Sequence, residues 1–252
     1  MTALNVEVAG NPDGPPAVLI HGFMSSNAQW MSNRDALGER LHLHMVELPG
    51  HGHSPVPADD DGYRPEAIMT AIESIRTDAG IDTWWVIGQS LGGAIAIQYV
   101  LAHADRARGL VFTNSRAAFG IARRRARSDA PAPPGPEITD LRDLPMHPIN
   151  AKRFPDDVKA AMVAAADAMD PAAAMGITRW RNAWHSLDQL GDLTVPTMLV
   201  NGRWESAFQE HVPTAAERIP DFRLVELEGG HSINVEQADA FNDAVLEFVG
   251  ER

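Results

Sequence analysis

The chain has 252 residues, and at roughly 100 to 200 residues per ordinary domain this favours one large domain or a core carrying an insert. Twenty-one Lys and Arg against 34 Asp and Glu give a net charge of −13, which repels polyanions and makes nucleic acid and anionic membrane surfaces poor partners. The chain has no cysteine, which excludes disulfides, thiolate catalysis and Cys-ligated metal, so any nucleophile must be another residue type.

The start MTALNVEVAGNPDGPP has neither the basic nor the apolar region of a signal peptide, and no stretch approaches the roughly 18 consecutive apolar residues of a membrane span. A soluble, cytoplasmic protein is expected, a monomer or homodimer acting on a small molecule. The first strand candidates are LNVEVA (4–9) and AVLIHG (17–22), and NPDG (11–14) between them offers turn chemistry. Together they predict an antiparallel hairpin at a sheet edge. At the end of AVLI, His21-Gly22-Phe23-Met24 lets the chain turn sharply and present the Phe23 N–H at the sheet edge, with His21 read as a structural histidine. The strand LHLHMVEL (41–48) follows, and then a helical face of Ile68, Ala71, Ile72, Ile75 and Ala79 with Gly80 as its stop. His42, His44, His51 and His53 lack both the H-E-x-x-H spacing and a local carboxylate group, so neither a metal nor a cofactor is predicted.

After the strand TWWVIG (83–88) comes Gly88-Gln89-Ser90-Leu91-Gly92-Gly93, leading directly into the helical run LGGAIAIQYVL. This is G-x-S-x-G between a strand and a helix, a turn that needs small residues two positions either side of the serine and holds its hydroxyl out at the sheet edge. The Leu91 N–H opens the helix and faces developing negative charge, so Phe23 and Leu91 form a candidate oxyanion hole. The apolar runs AVLI and WWVI lack polar alternation, as strands of a parallel sheet covered on both faces do.

Beyond the strand GLVFTN (109–114) the rhythm breaks over 116–190. This region has Arg116, Arg123, Arg124, Arg125 and Arg127, the proline-rich SDAPAPPGPE (128–137) and a helical stretch from Val158 to Ala174. It reads as a cap or lid inserted into a core of 1–115 and 191–252. Strands resume at PTMLVNG (196–202), three residues before Glu205, and FRLVELEG (222–229) leads into Gly229-Gly230-His231-Ser232. His231 is the histidine that follows the serine in a glycine-flanked loop after a strand, and Glu205 is the carboxylate placed to orient it. Met24, Gln89, Arg116 and Trp204 are expected to contact substrate, Trp204 because it adjoins the acid. A last amphipathic helix, with Phe241, Val245, Phe248 and Val249, closes the chain.

HGFM, LPGHGHS (48–54), GQSLGG, NGRWE and GGHS together, in this order, resemble the α/β-hydrolase fold superfamily. The resemblance covers the two core segments and not the region between them. It implies an α/β fold with an eight-stranded, mostly parallel sheet, a Ser90–Glu205–His231 triad with Phe23 and Leu91 as oxyanion donors, and a cap closing over the pocket. Two positions depart from the family pattern: Glu205 and Glu47 stand where most relatives have Asp. The expected activity is cofactor-free hydrolysis of a carboxylic ester or thioester through an acyl-enzyme on Ser90. A C–C hydrolase or lyase on the same triad, similar to the menaquinone-pathway SHCHC synthase, is a second reading, and a non-catalytic binding protein of this fold is a third.

Overall fold

The computed structural model describes residues 3–120, 130–133 and 140–251. Seven strands run in chain order as β1 (Val6–Gly10), β2 (Pro16–Ile20), β3 (His42–Val46), β4 (Trp84–Gly88), β5 (Ala107–Thr113), β6 (Thr197–Gly202) and β7 (Phe222–Leu227). They form one sheet in the order β1-β3-β2-β4-β5-β6-β7, with β1 antiparallel and the other neighbours parallel. The resemblance implied eight strands; among the described residues the sheet has seven.

The parallel strands bury both faces, and the alternation of side chains sorts them into two apolar layers. Val18, Ile20, Val86, Phe112 and Leu199 belong to one layer, and Ala17, Leu19, Trp85, Ile87, Val111 and Val200 to the other. The expected β1–β2 hairpin is not formed. Instead β1 pairs with β3, Val6 opposite Val46 and Gly10 opposite His42. The reason lies in β2, whose two edges are already occupied by parallel partners, β3 on one side and β4 on the other. The half-exposed β1 therefore takes the outer position, and the NPDG turn, closed by Gly14 N–H to the Asn11 carbonyl at 3.0 Å, carries the chain past β3 to the sheet interior.

Among the described residues five helices have nine or more residues: α1 (Pro65–Asp78), α2 (Leu91–Ala102) and α5 (Ala238–Gly250), whose apolar side chains join the two sheet layers, and α3 (Asp156–Asp167) and α4 (Pro171–Arg179), which belong to the β5–β6 connection. In α1 the buried face holds Ile68, Ala71 and Ile72 as expected, but its last turn buries Arg76 while Ala79 stands exposed. Arg76 is accommodated by a 2.5 Å ion pair with Glu73 and by donation to the Asp82 carbonyl at 3.0 Å. Helix α2 is buried from Leu91 to Val100, because it lies against β4 and β5 under the β5–β6 connection. The described part of that connection sends Phe119, Ala173, Ile177 and Trp184 into the same apolar layer as α2. The cluster Arg123, Arg124, Arg125 and Arg127, and most of the proline-rich stretch, lie outside the described residues.

Candidate active site

Between β4 and α2 the chain turns through Ser90, whose backbone has φ 54° and ψ −114°. A left-handed φ on a non-glycine residue costs about 1–3 kcal/mol and persists only where its surroundings impose it. Here the Ser90 N–H donates to Thr113 Oγ1 at 3.3 Å and its carbonyl accepts from Ser115 Oγ at 2.6 Å. The flanking glycines are required by packing: a Cβ on Gly88 would collide with the Gly92 carbonyl, and one on Gly92 with the Ile20 carbonyl.

The turn aims Ser90 Oγ at His231 Nε2, 2.7 Å away, and His231 Nδ1 lies 2.9 Å from Glu205 Oε2. The three residues come from the ends of β4, β6 and β7. Glu205 sits in a turn closed by its own N–H on the Gly202 carbonyl at 3.2 Å, set back far enough for the longer glutamate side chain to reach the imidazole. That turn is fixed from two sides. Asn114 at the end of β5 accepts from Gly202 N–H at 2.8 Å and donates to its carbonyl at 3.0 Å, while Gln209 donates to the Glu205 carbonyl at 3.1 Å. The His231 loop is tied to the serine turn by Gln89, whose Nε2 donates to the His231 carbonyl at 3.2 Å.

The backbone N–H groups of Phe23 and Leu91 take no acceptor among the described residues. Leu91 opens α2, where an N–H has no intrahelical partner. Phe23 precedes Met24, which has φ 57°. Two buried histidines lace this loop to the LPGHGHS turn. His21 Nδ1 donates to the Gly22 carbonyl at 2.7 Å and its Nε2 accepts from Leu48 N–H at 3.0 Å. His51 Nδ1 donates to the Pro49 carbonyl at 3.0 Å and its Nε2 accepts from Met24 N–H at 3.4 Å. With an N–H donor on one side and an acceptor on the other, both rings are neutral. Burial and the neighbouring His51 push the His21 pKa down to about 3, and burial holds that of His51 at about 4. Glu47 anchors the same turn, accepting from His53 N–H at 2.7 Å and Asn5 Nδ2 at 2.9 Å.

A cavity of about 580 Å³ opens onto Ser90, His231 and Glu205, with Phe23, Met24 and Gln89 on its wall and Arg116 at its side. Its apolar wall comes from the β5–β6 connection, through Met146, Pro148, Phe154 and Met162. Trp204 departs from expectation. The turn that sends Glu205 inward leaves Trp204 facing out, 51 % exposed, with its indole N–H on Glu228 at 2.7 Å. Its contribution is indirect, since the Arg153 guanidinium lies 4.9 Å from its ring centre and Arg153 lines the cavity. Sequence reasoning passed over Gln29, Arg153 and Glu236, all on the cavity wall. Arg153 and Glu236 form a 2.5 Å ion pair across 83 positions of sequence, which no local pattern announces.

A parallel sheet flanked by helices, with a serine on a strained strand-to-helix turn at its carboxyl edge, defines a hydrolase-type enzyme. The model of the alpha/beta hydrolase family matches residues 17–244, and the chain belongs to that family. A pimeloyl-[acyl-carrier protein] methyl ester esterase from Aeromonas hydrophila is 28 % identical over 265 residues, covering 98 % of this chain and 100 % of that one. The human (lyso)-N-acylphosphatidylethanolamine lipase is 36 % identical over 105 residues, which is 40 % of this chain and 30 % of the lipase, so the match spans under a third of that protein. Among solved structures, the enol-lactonase from Burkholderia xenovorans superposes with a TM-score of 0.81 at 22 % identity, covering 98 % of this chain and 96 % of that one. That likeness is one of fold.

Proposed function

We propose that the protein is a serine hydrolase of small-molecule carboxylic esters or thioesters, working through an acyl-enzyme on Ser90. The observation that carries this reading is the continuous hydrogen-bond chain from Ser90 Oγ to His231 Nε2 at 2.7 Å and from His231 Nδ1 to Glu205 Oε2 at 2.9 Å. Ser90 attacks the carbonyl while His231 takes its proton; Glu205 holds the imidazole in the tautomer with N–H on Nδ1 and stabilises the imidazolium. The carbonyl oxygen, now negative, is received by the N–H groups of Phe23 and Leu91. His231 then protonates the leaving alcohol or thiol, and a water deprotonated by the same imidazole cleaves the acyl-enzyme. The β5–β6 connection acts as a cap in this scheme, since its apolar side chains form the wall that holds the acyl or alcohol portion. The esterase and lipase names of the relatives support the same class of reaction.

The test is labelling by a fluorophosphonate together with turnover of p-nitrophenyl esters, acyl-CoA thioesters and vinylogous diketones. The expected result is labelling at Ser90, absent in Ser90→Ala, with turnover of an ester or thioester that falls by up to about 10⁶-fold in that variant. A variant retaining more than about a tenth of the activity refutes the nucleophile assignment, and turnover confined to the diketones moves the reading to C–C hydrolysis.

A further inference from the structure

Four carboxamide side chains lie buried beneath the histidine loop: Gln29, Asn33, Asn234 and Asn242, at 2 %, 0 %, 0 % and 3 % exposure. They join the segment after the Phe23 loop to the segments on either side of the start of α5. A carboxamide can be placed either way round, and only its partners decide which end donates. Here backbone carbonyls decide it. The Ser32 carbonyl can only accept, so Asn242 meets it with Nδ2 at 3.2 Å and turns Oδ1 to Asn33 Nδ2 at 2.8 Å. Asn33 Nδ2 also serves the Asn234 carbonyl at 2.9 Å, which leaves Asn33 Oδ1 to accept from Asn234 Nδ2 at 3.0 Å. Asn234 Nδ2 in turn serves the Gln29 carbonyl at 2.9 Å, and its Oδ1 accepts from Gln29 Nε2 at 3.1 Å.

The direction therefore propagates without a choice from the Ser32 carbonyl to Gln29, three backbone carbonyls agreeing along the way. The relay ends on Gln29 Oε1. That oxygen takes no donor among the described residues, while Gln29 lines the same cavity as Ser90. Beside it Ala28 and Phe154 pack with Val158, Met162 and Val235, and the cavity lining mixes Met24, Phe154 and Met162 with the polar Asn150, Arg153 and Glu236. A carbonyl-type acceptor held in one orientation on a residue that is only 2 % exposed discriminates strongly, because a ligand with no donor that covers it leaves it desolvated and unpaired. A ligand oxygen without a hydrogen, charged or neutral, meets repulsion at the same point.

We propose that Gln29 is a specificity-determining residue: its Oε1 accepts a hydrogen bond from a hydroxyl or amide N–H on the substrate's apolar portion. The chemical class selected is an ester or thioester that carries a neutral hydrogen-bond donor, and not an aliphatic or anionic group, at the position facing Gln29. This rests on the hydrolase reading for its kinetics and on the cavity alone for its binding. A carboxamide does not titrate, so the selection holds across the pH range in which the protein is folded.

The experiment compares p-nitrophenyl esters of ω-hydroxy acids of six, eight and ten carbons, and of para-hydroxyphenylacetic acid, with their deoxy and methoxy counterparts. At one or more geometries the hydroxyl ester is expected to exceed both counterparts about tenfold in kcat/KM, and Gln29→Leu is expected to bring that ratio to about one. Calorimetric binding of the same esters to Ser90→Ala reads the same ratio without turnover. If no ester is hydrolysed but the hydroxyl forms bind more tightly, the hydrolase reading fails and this one stands. Equal binding and turnover of hydroxyl, methoxy and deoxy forms by the wild-type protein, a result that needs no variant to fold, overturns the proposal. So does a donor preference that survives Gln29→Leu.

Discussion

Glu205 Oε2 and His231 Nδ1 stand 2.9 Å apart, with the carboxylate 15 % and the imidazole 46 % exposed. The acid is thus shielded while the base faces the cavity, an arrangement suited to a carboxylate that orients and never takes the proton. Glu205→Gln is expected to lower kcat by about 10⁴-fold, as loss of the orienting carboxylate does in a serine protease, with a smaller change in KM. Glu205→Asp should recover part of the rate. Steady-state kinetics on one ester decide it, and a near-normal kcat in the Gln variant would show that another acid, or none, serves His231. The meeting of Ser90, Glu205 and His231 was legible in the sequence because each follows a strand end marked by glycine, within three residues, and the order of those ends limits the choices. Trp204 was misjudged for a reason of the same scale. The turn after β6 gives the Trp204 indole N–H to Glu228 on the outer side, so nearness to Glu205 in sequence did not bring the ring into the cavity. Gln29 was illegible, because its role depends on Asn234, 205 positions away.

The loop after β2 and the turn after β3 are held by histidines that must stay neutral to make their bonds. His21 and His51 have pKa values of about 3 and about 4 in the folded protein, pushed down from 6.5 mainly by burial. In the unfolded chain both take up protons near pH 6.5, so unfolding binds protons that folding excludes. The stability they contribute is complete above about pH 6.5. It declines as the pH falls from there toward 4 and 3, where the folded protein protonates too. Urea midpoints should therefore drop steadily between about pH 6.5 and 4, and His51→Gln should flatten part of that slope; parallel slopes for variant and wild type would argue against this linkage. The amide relay makes a second prediction for the same layer of structure. Asn234→Ala leaves Gln29 Nε2, Asn33 Oδ1 and the Gln29 carbonyl without partners and should cost about 3 kcal/mol or more in denaturant unfolding. A loss below 1 kcal/mol would mean that water replaces the amide. At this scale the strands and long helices were readable from apolar runs and periodicity. The partner of β1 was not, since turn residues reveal that the chain reverses and say nothing of which edge is free.

Across the molecule, the net charge of −13 is not distributed evenly. The cavity wall carries Arg116, Lys152 and Arg153 against Glu205 and Glu236. Arg153 is engaged by Glu236, and Glu205 by His231. Arg116 is exposed and has no carboxylate within ion-pair distance among the described residues. A positive site inside an acidic molecule favours an anionic group at the cavity side over the same group elsewhere on the surface. Arg116→Ala should raise KM for a carboxylate-bearing ester about threefold, the scale of an exposed ion pair, and leave that of its neutral methyl ester unchanged. Equal changes for the two esters would remove Arg116 from substrate selection.

The order in which the chain delivers its reacting groups has a consequence for its synthesis. Ser90 and His231 are 141 positions apart, and at about 5–20 residues per second a ribosome needs on the order of ten seconds to travel between them. Throughout that interval the proposed nucleophile lacks its proposed base, which has not been translated. On the proposed hydrolase reading a nascent chain is therefore chemically silent toward esters, and reactivity begins only when β6 and β7 have added to the edge of the sheet and His231 has followed them.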